Sequence, residues 1–194
     1  MKKLENIFLY LVVLGGRAKK ANVELHDVRW VVGSRIEDTY DNLRNSWFGS
    51  SRGLHIDSYK KIQYIDGYKI NLINVENHKI EKRQLEKKLK PKKTLWFVNI
   101  GGYNPTSMQE KHEFGLVIAS NKLEAKNIAK SKWLIGCKKK HKDDLASLEM
   151  LTSCDDCELI NKIGNWEIEL TPDNEFTEEN YYPDWFGYKK IDGK

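Results

Sequence analysis

The chain repeats itself. Set against its own sequence at an offset of 86, residues 9–57 align with residues 95–143 without a gap. Eleven of the 49 positions are identical, where average residue usage would give about three. The identities are Leu9/Leu95, Val12/Val98, Gly15/Gly101, Gly16/Gly102, Glu24/Glu110, His26/His112, Val31/Val117, Ser34/Ser120, Trp47/Trp133, His55/His141 and Asp57/Asp143. Beyond Asp57 the offset grows by 12, from 86 to 98, so IQYIDGYKINL (62–72) matches INKIGNWEIEL (160–170) and the second copy carries an insertion near 144–156. A duplication of this length means one structural unit made twice, which limits the possible folds more than composition does.

Each copy reads ββαββ. The first strand is expected over Ile7–Leu14 and to end at Gly15-Gly16, where a backbone without Cβ can leave sharply. The second spans about Glu24–Val32. Ser34 followed by Glu37 has the spacing of a capping box opening a helix. That helix places Ile36, Tyr40, Leu43 and Trp47 on one stripe. In the second copy Ser120 is the expected cap, with Ala125, Ile128, Ala129 and Trp133 inward. Strands over Tyr59–Ile65 and Tyr68–Ile73 are joined by Asp66-Gly67, a two-residue hairpin signal, and Gly164-Asn165 stands in the same place in copy two.

The expected fold is therefore α+β: two tandem ββαββ repeats with a pseudo-twofold relation, mostly antiparallel sheets, and one helix packed per repeat. Its divisions are repeat one (1–73), a basic linker (74–93), repeat two (94–172, with the insertion 144–156) and an acidic, aromatic tail (173–194).

Charge is concentrated rather than spread. Residues 73–93 hold eight Lys/Arg against three Glu, and residues 173–188 hold five acidic residues and no Lys or Arg. A broad nucleic-acid-binding face would distribute basic charge over folded elements, so nucleic acid is disfavoured as a partner. Three cysteines are too few and too odd for a disulfide scaffold and suit the reduced thiols of a cytoplasmic protein. The opening MKKLENIFLYLVVLGG has the outline of a secretory signal, but Glu5 interrupts its basic head and the same stretch recurs in mid-chain as TLWFVNIGG. No apolar run approaches the roughly 20 residues needed to span a membrane.

Chain direction brings polar residues together. Strand one ends at one edge of the sheet and strand two starts there; a right-handed crossover through the helix returns the chain to the same edge for LHID (54–57). Residues two apart on a strand share a face, so Glu24 goes with His26 and His55 with Asp57. Gly15, Gly16, Glu24, His26, His55 and Asp57 should meet at one edge, as should Gly101, Gly102, Glu110, His112, His141 and Asp143 in copy two. Four of the five histidines occupy these duplicated positions. They either hold loop backbone in place, or bind a metal, a phosphate or a small anion, or move protons.

Two further features belong to one copy only. Cys137-x3-His141 with Cys154-x2-Cys157 has the composition of a Cys3His zinc site, although His55, the counterpart of His141, has no cysteine near it. Arg17-Ala-Lys19-Lys20 could cradle a phosphate through backbone N–H groups and charge, while copy two has Tyr103-Asn-Pro105-Thr there.

The strings VVLGGR, E-x-HDV, LHIDS and IDGYKI, with FVNIGGY, KHEF and H-x-DD in the second copy, resemble an uncharacterised bacterial family catalogued as domain of unknown function 1543. The resemblance covers residues 6–170, and it implies the duplication and the His/Asp positions but no reaction. Cys154-x2-Cys157 departs from the family pattern, which is acidic and apolar there, and this weighs against zinc.

The leading expectation is a cytoplasmic binding or regulatory protein that recognises a protein partner or small anionic ligand at the twin edges. The alternative is a small hydrolase or metal-dependent enzyme using Glu24, His26, His55 and Asp57 or their counterparts. A weaker one is nucleic-acid binding through 79–93, where no aromatic platform accompanies the charge. The residues assign no cofactor, reaction or oligomeric state.

Overall fold

The continuous apolar run FLYLVVL has no alternation because both faces of its strand are covered. A computed structural model describes residues 6–76, 93–104, 106–135, 139–140, 157–173 and 182–193. Strand β1 (Phe8–Gly16) sends Tyr10, Val12 and Leu14 into one core, while Leu9 and Leu11 are buried on its opposite face. Strands β2 (Leu25–Gly33) and β3 (His55–Ile62) pair antiparallel with β1, one on each side. They therefore run in the same direction with β1 between them.

Between β2 and β3 lie a 3-10 turn (Ile36–Thr39) and helix α1 (Tyr40–Ser46). Ile36, Leu43 and Trp47 are buried against Tyr10, Val12, Leu14, Leu54 and Ile56, with Tyr40 partly buried at the margin. Each such side chain contributes about 1.5–3 kcal/mol by leaving water. The turn opens one residue later than the Ser34 reading: Arg35 is its N-cap, and the Asp38 carboxylate accepts from the Arg35 N–H (2.9 Å) and the Ser34 hydroxyl (2.6 Å). Glu37 instead faces Lys189 at 3.0 Å.

Strands β4 (Tyr64–Ile65) and β5 (Tyr68–Asn74) form the expected hairpin. Asp66 and Gly67 both have positive φ, 49° and 76°, which is what a tight two-residue turn between right-twisted strands requires.

The second repeat follows the same plan. Strands β6 (Thr94–Tyr103) and β7 (Lys111–Ala119) pair Gly101 with His112, as β1 and β2 pair Gly15 with His26. Helix α2 (Lys122–Lys132) packs Ala125 and Ala129 into a core with Val98, Ile100, Val117 and Cys157, flanked by Ile128 and Trp133. Its N-cap is Asn121 rather than Ser120: the Asn121 side chain accepts from the Glu124 N–H, and Glu124 accepts the Ser120 N–H at 2.8 Å. The third strand of this repeat comes in two pieces, β8 (Lys139–Lys140) and β9 (Cys157–Ile160), both paired with β6. Leu95 faces Ile160 as Leu9 faces Ile62.

Strands β10 (Lys162–Ile163) and β11 (Trp166–Pro172) complete a sheet of order β10-β11-β5-β4. Its register sets Asn71 opposite Glu169, Tyr68 opposite Pro172 and Trp166 opposite Asn74. At the offset of 98, Glu169 is the counterpart of Asn71, and Trp166 of Tyr68. The two hairpins are thus related by a local twofold through the Asn71–Glu169 pair.

From the tail, β12 (Trp185–Lys190) adds to the outer side of β3, giving the order β12-β3-β1-β2. Arg44 donates to the Ile191 carbonyl at 3.0 Å, the Ile191 N–H donates to Leu54, and Ile191 is buried in the core. The chain divides into two compact units, Met1–Asn77 with Ile163–Lys194, and His78–Lys162. The fold is α+β, mostly antiparallel, with one helix per repeat. No helix among the described residues is long and apolar enough to cross a membrane.

Candidate functional site

Strand β1 does not stop before the glycines but includes them as its last two, paired residues, and the surrounding side chains explain them. Gly15 pairs with His26 on one side and His55 on the other. A Cβ at Gly15 would lie 2.5 Å from His55 Nε2 and 3.0 Å from Asp57 Oδ2. One at Gly16, on the opposite face, would lie 2.9 Å from the Trp47 ring. Glycine is required for room on both faces, not for a turn.

Over Gly15 four polar side chains converge. His26 Nε2 is 3.2 Å from Asp57 Oδ2, and His55 Nε2 is 3.1 Å from Asp57 Oδ1 and 3.7 Å from Glu24 Oε1. The other nitrogen of His55, Nδ1, lies 2.8 Å from the Gly53 carbonyl oxygen. Carbonyl and carboxylate oxygens only accept, so the full set of contacts is made when both His55 nitrogens carry protons. The His55 side chain is 1% exposed, against 54% for His26, 40% for Glu24 and 30% for Asp57.

A β-bulge places Asp57. The β1 register steps from Val13–Ser58 to Leu14–Ile56, and the β12 register from Phe186–Ser58 to Lys189–Ile56. Neither neighbour pairs with Asp57. Bulges re-aim a side chain out of the regular alternation, and this one delivers the carboxylate to both imidazoles.

A residue that chain direction gave no hint of also belongs here. The Tyr188 ring, on β12, lies 3.9 Å from the His55 ring at 33° and is 60% exposed. Only the aromatic composition of the tail pointed toward it, since nothing local in the sequence pairs 185–190 with 55–59. Beside it, the Gly53 N–H donates to Asp192 at 3.0 Å.

The second repeat holds a related but different cluster. His112 Nε2 is 3.6 Å from Glu110 Oε2, and Asn99 Nδ2 is 3.5 Å from His112 Nδ1. Tyr103, where repeat one has Arg17, donates its hydroxyl to Glu110 at 3.3 Å, and the Glu110 charge pushes that hydroxyl's pKa up. Glu110 and His112 both lie against Gly101, while Gly102 pairs with Lys111 and Lys140. His141 and Asp143 lie outside the described residues.

Among the described residues, no group of three or more His, Cys, Asp or Glu side chains is placed to hold a metal ion. Of the residues considered for zinc, Cys137, His141 and Cys154 lie outside the described residues. Cys157 is buried in the core of repeat two, its Sγ 3.9 Å from the Lys122 carbonyl. The Arg17–Lys20 loop is a turn with Lys20 at φ 69°, closed by the Ala21 N–H on Ala18 and tied by the Ser50 N–H on the Arg17 carbonyl.

Comparison with known proteins fits this duplicated plan. A family model described as Domain of Unknown Function (DUF1543) matches residues 21–72 and again residues 107–160. The crystal structure of a protein Il1583 from Idiomarina loihiensis is similar, at 30% identity and a TM-score of 0.66, over 96% of this chain and 99% of that one. No curated protein matches the chain.

Proposed function

The chain belongs to the DUF1543 family, which it carries twice, and we propose that it is a binding or regulatory protein whose recognition site is the cluster over Gly15. What carries the reading is the arrangement of Glu24, His26, His55 and Asp57. Three chain segments, a side-chain-free residue and a bulge together place four polar ends within hydrogen-bonding range or just beyond it. A polar cluster serving only to brace a loop has no need to leave His26 and Glu24 half open to solvent. In this reading the protein acts in the cytoplasm, and the Glu110–His112 cluster is a second version of the site.

The test is a screen of the full chain by 1H–15N NMR against a library of small polar compounds. Binding is expected to move the amides of residues 15–16, 24–26 and 55–58 together, and less in a His26→Ala chain. If no compound perturbs this set at millimolar concentration, the recognition reading fails.

One observation favours proton transfer as the second reading. Asp57 joins a buried imidazole to an exposed one, an arrangement that fixes the orientation of the exposed ring. Hydrolysis of simple activated esters that falls in Asp57→Asn and His26→Ala chains would support it; equal rates in all three would remove it.

A further inference from the structure

The first-repeat cluster keeps its donors for itself. Both imidazoles turn an Nε2 toward Asp57, and the remaining His55 nitrogen faces the Gly53 carbonyl. Partly exposed are the Glu24 side chain, 3.7 Å from its nearest imidazole nitrogen, and the His26 ring, whose Nδ1 accepts when the ring is neutral and donates through Nε2. A ligand arriving here meets acceptors. Beside them stands Tyr188, its ring tilted 33° against that of His55 and the residue 60% exposed. It is held there because β12 is anchored by the buried Ile191, by the Asp192 carboxylate on the Gly53 N–H and by the Lys189–Glu37 ion pair. An aromatic face next to a partly exposed carboxylate is the surface that takes a flat group bearing N–H donors, through stacking or cation–π attraction and charge-assisted hydrogen bonds.

We infer that the first-repeat site takes a planar ligand bearing N–H donors, of the amidine or amino-heterocycle class, with Glu24 receiving the donors and Tyr188 the flat face. This rests on the recognition reading above and narrows it. Lys190, the β12 partner of His55, is the cation that could favour an anion instead.

Benzamidine, benzoate and methylammonium are the probes, each titrated into the full chain by NMR and calorimetry. Benzamidine is expected to bind with a Kd on the order of 1 mM, to shift the Tyr188 ring and the residue 24–26 amides, and to beat both other probes about tenfold. Glu24→Gln and Tyr188→Leu should each weaken it by at least about fivefold, with unchanged β12 amide shifts showing that the Leu variant keeps its fold. Tighter binding of benzoate would overturn the ligand class while leaving the recognition site intact, and would assign the choice to Lys190. Equal binding of methylammonium, or no loss in Tyr188→Leu, would overturn the role of the flat face. Silence from all three, alongside hits at the same amides in the polar library, would overturn this inference alone.

Discussion

Asn71 faces Glu169 across the β5·β11 ladder, and the two are the same position of the repeat. The ladder is therefore symmetric about that pair: Ile70 meets Leu170 on one side of it and Leu72 meets Ile168 on the other. Each hairpin supplies the other's missing neighbour, which a lone two-stranded hairpin needs for stability.

Disturbing one hairpin should consequently disturb both. Ile70→Ala removes a buried side chain at the ladder and is expected to cost about 2–4 kcal/mol. Hydrogen exchange should accelerate in β11 amides as well as in β5, although about a hundred residues of chain separate them. Acceleration confined to β4 and β5 would show that the hairpins are energetically separate.

Gly15→Ala should be costly despite the small change. The new methyl would meet the His55 ring and the Asp57 carboxylate, and such overpacking costs about 1–3 kcal/mol. Gly164→Ala, in the β10–β11 turn, has open space around its Cβ but a φ of 55°, so its cost should be the conformational one of about 1–2 kcal/mol. The two mechanisms separate in the NMR spectrum: only Gly15→Ala should move the His55 ring signals.

Asp57→Asn should destabilise the fold more than Glu24→Gln. Asp57 receives two imidazoles at 3.1 and 3.2 Å, while Glu24 approaches one at 3.7 Å. An Asn amide has one accepting oxygen where Asp57 has two, so one imidazole N–H would face an NH2 group and the other would lose a bond to a charged acceptor, at a cost of about 1–3 kcal/mol. Chemical denaturation ranks the two variants, and the opposite order would mean that Asp57 does not organise the cluster.

The N-terminus of α2 should carry an acid response. Hydrogen bonds from Lys93 and from the Ser120 backbone hold the Glu124 carboxyl down to about 2. A carboxylate lowered in the folded state stabilises fully above its unfolded pKa, near the ordinary Glu value, and that contribution is lost as pH falls through about 2. Carbon-detected titration of Glu124 should give the low midpoint, and Lys93→Ala should raise it. A midpoint at the ordinary Glu value would remove this contribution.

The duplication could be read from residue identity, and the meeting of Glu24, His26 and His55 from chain direction and strand parity; Asp57 joins them through a bulge that parity does not foresee. Identity, direction and parity are local or short-range properties. The role of the glycines is not legible in the sequence, because a glycine placed for a sharp exit and one placed for room beneath neighbouring side chains look alike until those neighbours are known. The helix caps slipped by one residue for a related reason: Ser34 and Ser120 are each followed by several polar groups able to take the orphan N–H, and geometry chooses Asp38 in one case and Asn121 in the other. Tyr188 over His55 and β11 beside β5 had no local signature at all, because both depend on segments far apart in the chain finding each other.

The bulge at Asp57 also explains where the second copy was free to grow. Along β3 it is the residue that neither β1 nor β12 holds by a paired backbone position. In repeat two, β8 pairs with one end of β6 and β9 with the other, and between them the sequence is 12 residues longer than in repeat one. The bulge acts as a seam: in repeat one it already lets an extra residue into the strand between two paired stretches.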